Sequence, residues 1–269
     1  MAKRPASAYV CGDCGAEFGK WQGQCGDCGA WNTLAEIRLA AVTGGGATRG
    51  FAGAADGTVV RLADIEVAAE PRLATGFAEL DLVLGGGLVA GSCVLMGGEP
   101  GAGKSTLLLQ ALCELGARVP ALYVTGEESP QQVALRARRL GLPLDRVEIM
   151  AETATETICA TALRRAPRVM VVDSVQVLHC AELSAAPGTV SQVRESAAQL
   201  VRLAKQTGMA LFLVGHVTKE GALAGPKVLE HMIDCSLMLE ASDDSRFRTL
   251  RSHKNRFGAV NELGVFAMT

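Results

Sequence analysis

Positions 97–106 read GGEPGAGKST. The pattern G-x-x-x-x-G-K-[S/T] runs from Gly98 to Ser105, behind the apolar run SCVLMGG and ahead of the helical run KSTLLLQALCELG. A strand, a glycine-rich loop and a helix in that order make a phosphate-binding loop. Such a loop has to end a strand, open a helix and aim backbone N–H groups at an anion. Gly98, Glu99, Pro100, Gly101, Ala102, Gly103, Lys104, Ser105 and Thr106 therefore form the expected nucleotide cradle. Amides from Gly101 to Lys104 are expected to wrap the phosphates. Lys104 is expected to reach the β and γ phosphates, and Ser105 to hold a magnesium ion (Mg2+).

The flanking sequence repeats the same alternation. In the helix after the loop, Leu108, Ala111, Leu112 and Leu115 fall on one side. ALYVTG reads as a second strand, and SPQQVALRARRLG opens a helix with Ser129 and Gln132 at capping-box spacing and proline at the first helical position. VEIM and RVMVVD are further strands. TVSQVRESAAQLVRLAKQTG is an amphipathic helix with Val190, Val193, Ala197, Leu200 and Ala204 as its stripe, and MALFLVG follows as another buried strand. Short apolar runs alternating with helices predict an α/β fold, a mostly parallel sheet with helices on both faces. From CSLMLEASDD onward the pattern changes to strands joined by hairpins.

Ahead of this core lies YVCGDCGAEFGKWQGQCGDCGAW. Cys11, Cys14, Cys25 and Cys28 form two C-x-x-C knuckles, each followed by glycine, a spacing that brings four thiolates to one tetrahedral zinc ion (Zn2+). So short a module cannot build a core unaided, and a structural zinc supplies folding energy on the order of 10 kcal/mol. Four cysteines leave no open position for a catalytic water, so the zinc is expected to be structural; the competing readings are a redox dithiol or disulfides. Trp21, Trp31, Tyr9 and Phe18 are expected to form an apolar cover for the metal. Cys93, Cys113, Cys159, Cys180 and Cys235 stand singly in apolar contexts and read as small buried hydrophobes. The expected organisation is a zinc module over 1–35, a glycine- and alanine-rich flexible linker over 36–59, and the α/β domain over 60–269.

Composition narrows the function classes. A formal charge of −2 leaves no global basic field, so any nucleic acid has to be held by a local patch. No run approaches eighteen apolar residues, and MAKRPASAYV has no apolar segment behind its charges, so a cytoplasmic location is the expectation.

Hydrolysis of a bound triphosphate needs more than the loop. Asp173 ends the apolar run RVMVVD, where a magnesium-holding carboxylate belongs; the bland alternative is a cap on the next turn. In YVTGEES, Glu127 is favoured over Glu128 as the residue that polarises water, against the alternative of a helix-capping carboxylate. His216, at the end of LVGHVTK, is placed to sense the γ-phosphate or is simply structural. Far downstream, SHKNRFGAV brackets an asparagine with Lys254 and Arg256, which by itself reads equally as a charged surface turn.

These residues carry a resemblance. TGFAELDLVLGGGLVAGSCVLMGGEPGAGKST resembles the core of RecA- and DnaB-type ATPases. The four-cysteine module, YVTGEES, AGPKVLEH and above all KNRFG are similar to the bacterial RadA (Sms) family of DNA-repair proteins, from Ala2 to Thr269. Members of that family continue into a domain resembling the Lon protease, which lies beyond this sequence. The resemblance implies a RecA-like, ATP-hydrolysing homo-oligomer, a hexameric ring acting on single-stranded and branched DNA in recombinational repair, with a recombinase-type protein partner. It also implies that the motif Lys254, Asn255, Arg256, Phe257 and Gly258 serves ATP held by the next protomer. Arg194, Lys219 and Lys227, in loops expected to face the ring channel, are the DNA-contact candidates. Two rival readings remain: an ATP-gated platform whose hydrolysis times the docking of a partner on the zinc module, and a metabolic P-loop kinase, which leaves KNRFG unexplained.

Overall fold

The computed structural model describes residues 7–11, 14, 16–38, 61–64, 72–216, 227–241 and 246–268. The amino-terminal module is an antiparallel three-stranded sheet in the order β2-β1-β3, built from β1 (Ser7–Cys11), β2 (Glu17–Phe18) and β3 (Leu34–Arg38). β3 pairs with β1 as far as Arg38 opposite Ser7, so strand continues three residues into the segment expected to be linker. Positions 39–59 of that segment lie outside the described residues.

The main domain carries eight strands: β4 (Cys93–Gly98), β5 (Ala121–Thr125), β6 (Glu148–Ala151), β7 (Val169–Asp173), β8 (Ala210–Val214), β9 (Cys235–Ala241), β10 (Phe247–Asn255) and β11 (Leu263–Ala267). Their order is β11-β10-β9-β4-β8-β7-β5-β6. Pairing is parallel from β9 through to β6 and antiparallel across β9, β10 and β11. This is the expected α/β class, hairpin tail included.

The layers follow from the strand sequences. β4, β5, β7 and β8 are buried at every position. Alternate residues of β4 and β8 face opposite ways: Val94, Met96, Phe212 and Val214 join one apolar cluster, and Cys93, Leu95, Leu211 and Leu213 join another. Against the first cluster lie α1 (Ala78–Leu84), α2 (Lys104–Gly116) and α3 (Pro130–Arg139). Against the second lie α4 (Thr155–Arg165) and α5 (Val190–Thr207), with the short α6 (Lys227–Glu230) at its margin. The capping box of α3 forms as spaced: Gln132 N–H donates to Ser129 Oγ at 3.3 Å, and Ser129 N–H to Gln132 Oε1 at 2.8 Å.

Two expectations about packing are corrected. Trp21 and Trp31 do not cover the thiols but stand out from the module, 57% and 69% exposed, while Tyr9 and Phe18 pack against the cysteines. The small interior of the module is already filled by Cys11, Cys25 and Leu34, with Tyr9 and Phe18 packed against them. Of the five lone cysteines four are buried, and Cys159 is half-buried.

Candidate nucleotide site and subunit edge

Parallel strands deliver their carboxyl ends to one edge of the sheet, and ligands bind outside that edge. Gly98 ends β4, Glu127 follows β5, Asp173 ends β7 and His216 follows β8, so four segments distant in sequence converge there. Gly98 has φ 149°, and a Cβ on it would lie 2.3 Å from the Leu239 carbonyl oxygen, so only glycine fits where the loop leaves the sheet. Gly103 is the N-cap of α2 and offers no side-chain acceptor, so the first-turn amides are left for an anion.

Lys104 is the first residue of α2, and its side chain is folded inward. Its Nζ donates to the carbonyls of Gly98 at 2.8 Å and Glu99 at 2.9 Å. Burial draws its pKa below the ordinary lysine range, while the charges of Asp173 and Glu127 pull it back up. Asp173 is buried, and its Oδ2 accepts from the Tyr123 hydroxyl at 2.5 Å. Tyr123 and Val171 are register partners on the α2 side of the sheet, which aims the phenol along the pleat at Asp173. Burial first, and then the Asp173 charge, push the Tyr123 hydroxyl far above the ordinary phenol range, so it stays a donor. A buried carboxylate beside an ammonium and a half-buried Ser105 suits a divalent cation, with Asp173 and Ser105 as its holders.

The adjacent glutamates separate. Glu128 pairs with Arg136 at 2.7 Å, and Arg136 in turn donates to the Tyr123 hydroxyl at 3.4 Å. Glu127 turns inward, accepting from Ser174 Oγ and lying 3.2 Å from His216 Nε2. The His216 hydrogen bond, ahead of the Ser174 bond and the Lys104 charge, holds the Glu127 carboxyl below the usual range despite burial. Glu127, His216, Ser174, Asp173 and Lys104 are thus one polar group. Sequence reasoning missed Tyr123 and Ser174. A lone tyrosine inside a core strand and a serine directly after Asp173 were the available signals.

KNRFG lies at the other edge of the sheet. Asn255, the last residue of β10, is level with Cys235, and Cys235 with Val94; the loop glycine Gly98 is level with Leu239. Four residues of β9 therefore separate the two levels, about 13 Å along the strands. Phe257 N–H donates to Asn255 Oδ1 at 2.8 Å, and Asn255 Nδ2 donates to the Val83 carbonyl at 3.2 Å, shaping the turn against α1. Gly258 meets Gly85 backbone to backbone: a Cβ on Gly258 would stand 2.9 Å from Gly85 Cα. Arg72, overlooked in the sequence, clamps both sides, donating to Phe257 O at 2.7 Å and to Gly85 O. Lys254 Nζ donates to the Ile233 carbonyl at 2.9 Å and to that of Glu230, and Arg256 Nη1 donates to Asp234 Oδ1 at 3.0 Å. Burial and the neighbouring Arg256 charge lower the Lys254 pKa from the ordinary lysine value.

The DNA-contact candidates are not brought together among the described residues. Arg194 is exposed in the first part of α5, Lys227 opens α6, and Lys219 lies outside the described residues. In the module, the Sγ atoms of Cys11, Cys14, Cys25 and Cys28 all lie within 4.8 Å of one another, with Cys11–Cys28 at 3.7 Å and Cys14–Cys25 at 3.5 Å. The edge of a tetrahedron of zinc–sulfur bonds is about 3.8 Å. The four sulfurs fit zinc.

Comparison with known proteins agrees with both parts of the chain. The AAA domain family matches residues 60–222, and the rubredoxin metal binding domain family matches residues 9–36. The DNA repair protein RadA of Escherichia coli (strain K12) is 60% identical over 273 residues, covering 100% of this chain and 59% of that protein. RadA of Pseudomonas aeruginosa is 63% identical over 261 residues, covering 97% and 57%, and RadA of Bacillus subtilis is 45% identical over 273, covering 100% and 59%. The chain thus spans under three fifths of the length of these relatives. With identities of this size along its whole length, a zinc ribbon at one end and an AAA domain behind it, the chain belongs to the RadA family of DNA repair proteins.

Proposed function

We infer that the chain is the motor part of a DNA-dependent ATPase in which each nucleotide is hydrolysed between two protomers. Gly98 to Thr106 hold the phosphates, with Lys104 at the β and γ positions. Asp173 and Ser105 would hold a magnesium ion, which would neutralise charge developing on the phosphates. Glu127, kept ionised by His216, orients and deprotonates the attacking water, and His216 registers the γ-phosphate. Lys254 and Arg256 of the next protomer stabilise charge on the transferred group, an effect worth about 10³ to 10⁵ in rate for a finger of this kind. One observation carries this reading: KNRFG and the phosphate loop of the same chain lie at opposite edges of the sheet. Cations so placed are remote from their own chain's phosphates and available to a neighbour's.

A head-to-tail contact of this kind repeats from protomer to protomer, and in our reading it closes into a ring rather than running on as a filament. The names of the relatives supply the setting, DNA repair. In our reading the work done there is translocation on single-stranded DNA and migration of branched recombination intermediates, with Arg194, Lys219 and Lys227 as the phosphate contacts. A second reading, the ATP-gated platform, is favoured by the exposed Trp21 and Trp31 of the zinc module, an apolar surface suited to a protein partner.

Mixing tests the first reading. Arg256→Ala protomers have a sound pocket and no finger; Lys104→Ala protomers have the reverse. Each alone is expected to assemble with ATP and to be inactive, and mixtures are expected to recover part of the activity. Assembled mixtures with no recovery at any ratio would exclude action between subunits. Strong stimulation of hydrolysis by single-stranded DNA separates the motor from the platform.

A further inference from the structure

Among the described residues two carboxylates are buried, Asp173 and Asp234. The first belongs to the nucleotide site. Asp234, 2% exposed, sits at the opposite edge, and no feature of HMIDCSLMLE marked it. Every acceptor it has is in use. Its carbonyl accepts from Arg256 N–H at 3.0 Å and its Oδ1 from Arg256 Nη1 at 3.0 Å. Its Oδ2 accepts from Cys93 N–H at 3.0 Å and from Lys205 Nζ near the end of α5. Its own N–H donates to the Cys93 carbonyl at 2.9 Å, closing a two-way link to the first residue of β4.

The charges are unequal. One carboxylate faces two cations, and Lys205 alone balances it. Arg256 is therefore not needed to neutralise Asp234, and its side chain is 52% exposed. A guanidinium has five donors in a rigid plane, and a single bond through Nη1 leaves the outer part of the fork free of Asp234 while fixing its direction. The turn behind it is rigid as well, held by Asn255, by the Gly85–Gly258 approach and by Arg72.

We propose that Asp234 is the positioning residue of the KNRFG cations: it fixes the Arg256 guanidinium in the attitude in which the next protomer's phosphates meet it, and Lys205, on the other carboxylate oxygen, balances the charge without occupying Arg256. This rests on the reading that Arg256 acts between subunits. The gain is orientation before the encounter, which removes the ordering of a long side chain from the barrier. Through Cys93 the same residue fixes the finger relative to β4, the strand that carries the protomer's own phosphate loop.

The test is Asp234→Asn in the full chain, with single-stranded DNA present. It is expected to lower kcat by about tenfold or more while changing KM for ATP less than about threefold, with assembly in ATP retained. Mixed with Lys104→Ala protomers, it is expected to regain activity as Arg256→Ala does. Loss of the carboxylate also strands Lys205, so the double variant Asp234→Asn/Lys205→Met removes both charges. It is expected to recover thermal stability and not kcat. Recovery of both in the double variant would mean that Asp234 only supports the fold, overturning the proposal. So would wild-type kcat in Asp234→Asn where Arg256→Ala is inactive. Near-normal turnover in Arg256→Ala would instead remove the intersubunit reading itself, a different failure. If Asp234→Asn does not fold, the double variant carries the same test.

Discussion

Glu127 and Glu128 are neighbours in sequence and differ in company: one meets Ser174 and His216, the other Arg136. The sequence favoured Glu127, but the contacts that set it apart, hydrogen bonds to residues 47 and 89 positions away, are long-range and invisible in a local motif. The same holds for Tyr123, whose hydroxyl reaches Asp173 across adjacent strands. The Glu127 environment fixes a pH dependence. Its folded pKa lies below the ordinary 4.5, so the carboxylate persists through neutral pH and is lost only as pH falls through the lowered value. Its contribution to stability has the same sign, present above the unfolded pKa and lost on the acid side. Because the His216 bond is the largest lowering influence, His216→Ala is expected to move the acid limb of the kcat profile to higher pH, which a pH–rate series measures. Lys104→Ala is expected to abolish hydrolysis with the fold retained, read by turnover beside circular dichroism, since its ammonium contributes mainly charge for the phosphates.

Elements with continuous apolar runs were legible. Apart from Tyr123, β4, β5, β7 and β8 have no polar residue until their site ends, and the stripes of α2 and α5 match their buried faces, with Val190 half-buried at the end of its stripe. The phosphate loop was legible because its glycines and lysine all lie in one short stretch, Gly97 to Lys104. The exposed tryptophans were not, because a knuckle of this size has no periodicity to say which face is inside. The seat of the KNRFG turn was also hidden: the triple glycine after α1 and Gly258 are 171 or more residues apart and meet only when β10 runs beside α1. That contact is testable. Gly258→Ala puts a methyl 2.9 Å from Gly85 Cα, so the turn has to shift. If KNRFG serves a neighbour's nucleotide as proposed, binding is expected to survive with turnover down by about tenfold or more, because misalignment of a reacting group alone is costly. Equilibrium binding of a nucleotide analogue beside steady-state hydrolysis separates the two.

At the scale of the whole molecule, the zinc ribbon and the AAA domain have separate sources of stability, four thiolates in one and two apolar clusters in the other. Cys25→Ser is expected to lose stoichiometric zinc by elemental analysis and to unfold the module, leaving nucleotide binding by the domain intact. DNA affinity is expected to fall with salt; Lys219→Ala and Lys227→Ala are each expected to flatten the slope by about 0.7, the value for one lost single-strand phosphate contact. Opposite placement of pocket and finger also sets a counting rule for assembly. In the intersubunit reading a lone protomer completes no site, an open row of n protomers completes n − 1, and only closure completes n. Every unclosed row ends in one idle pocket and one idle finger. Specific activity per chain therefore climbs with protein concentration and levels off at closure, and a trace of inactive protomer with neither pocket nor finger silences more sites than its own.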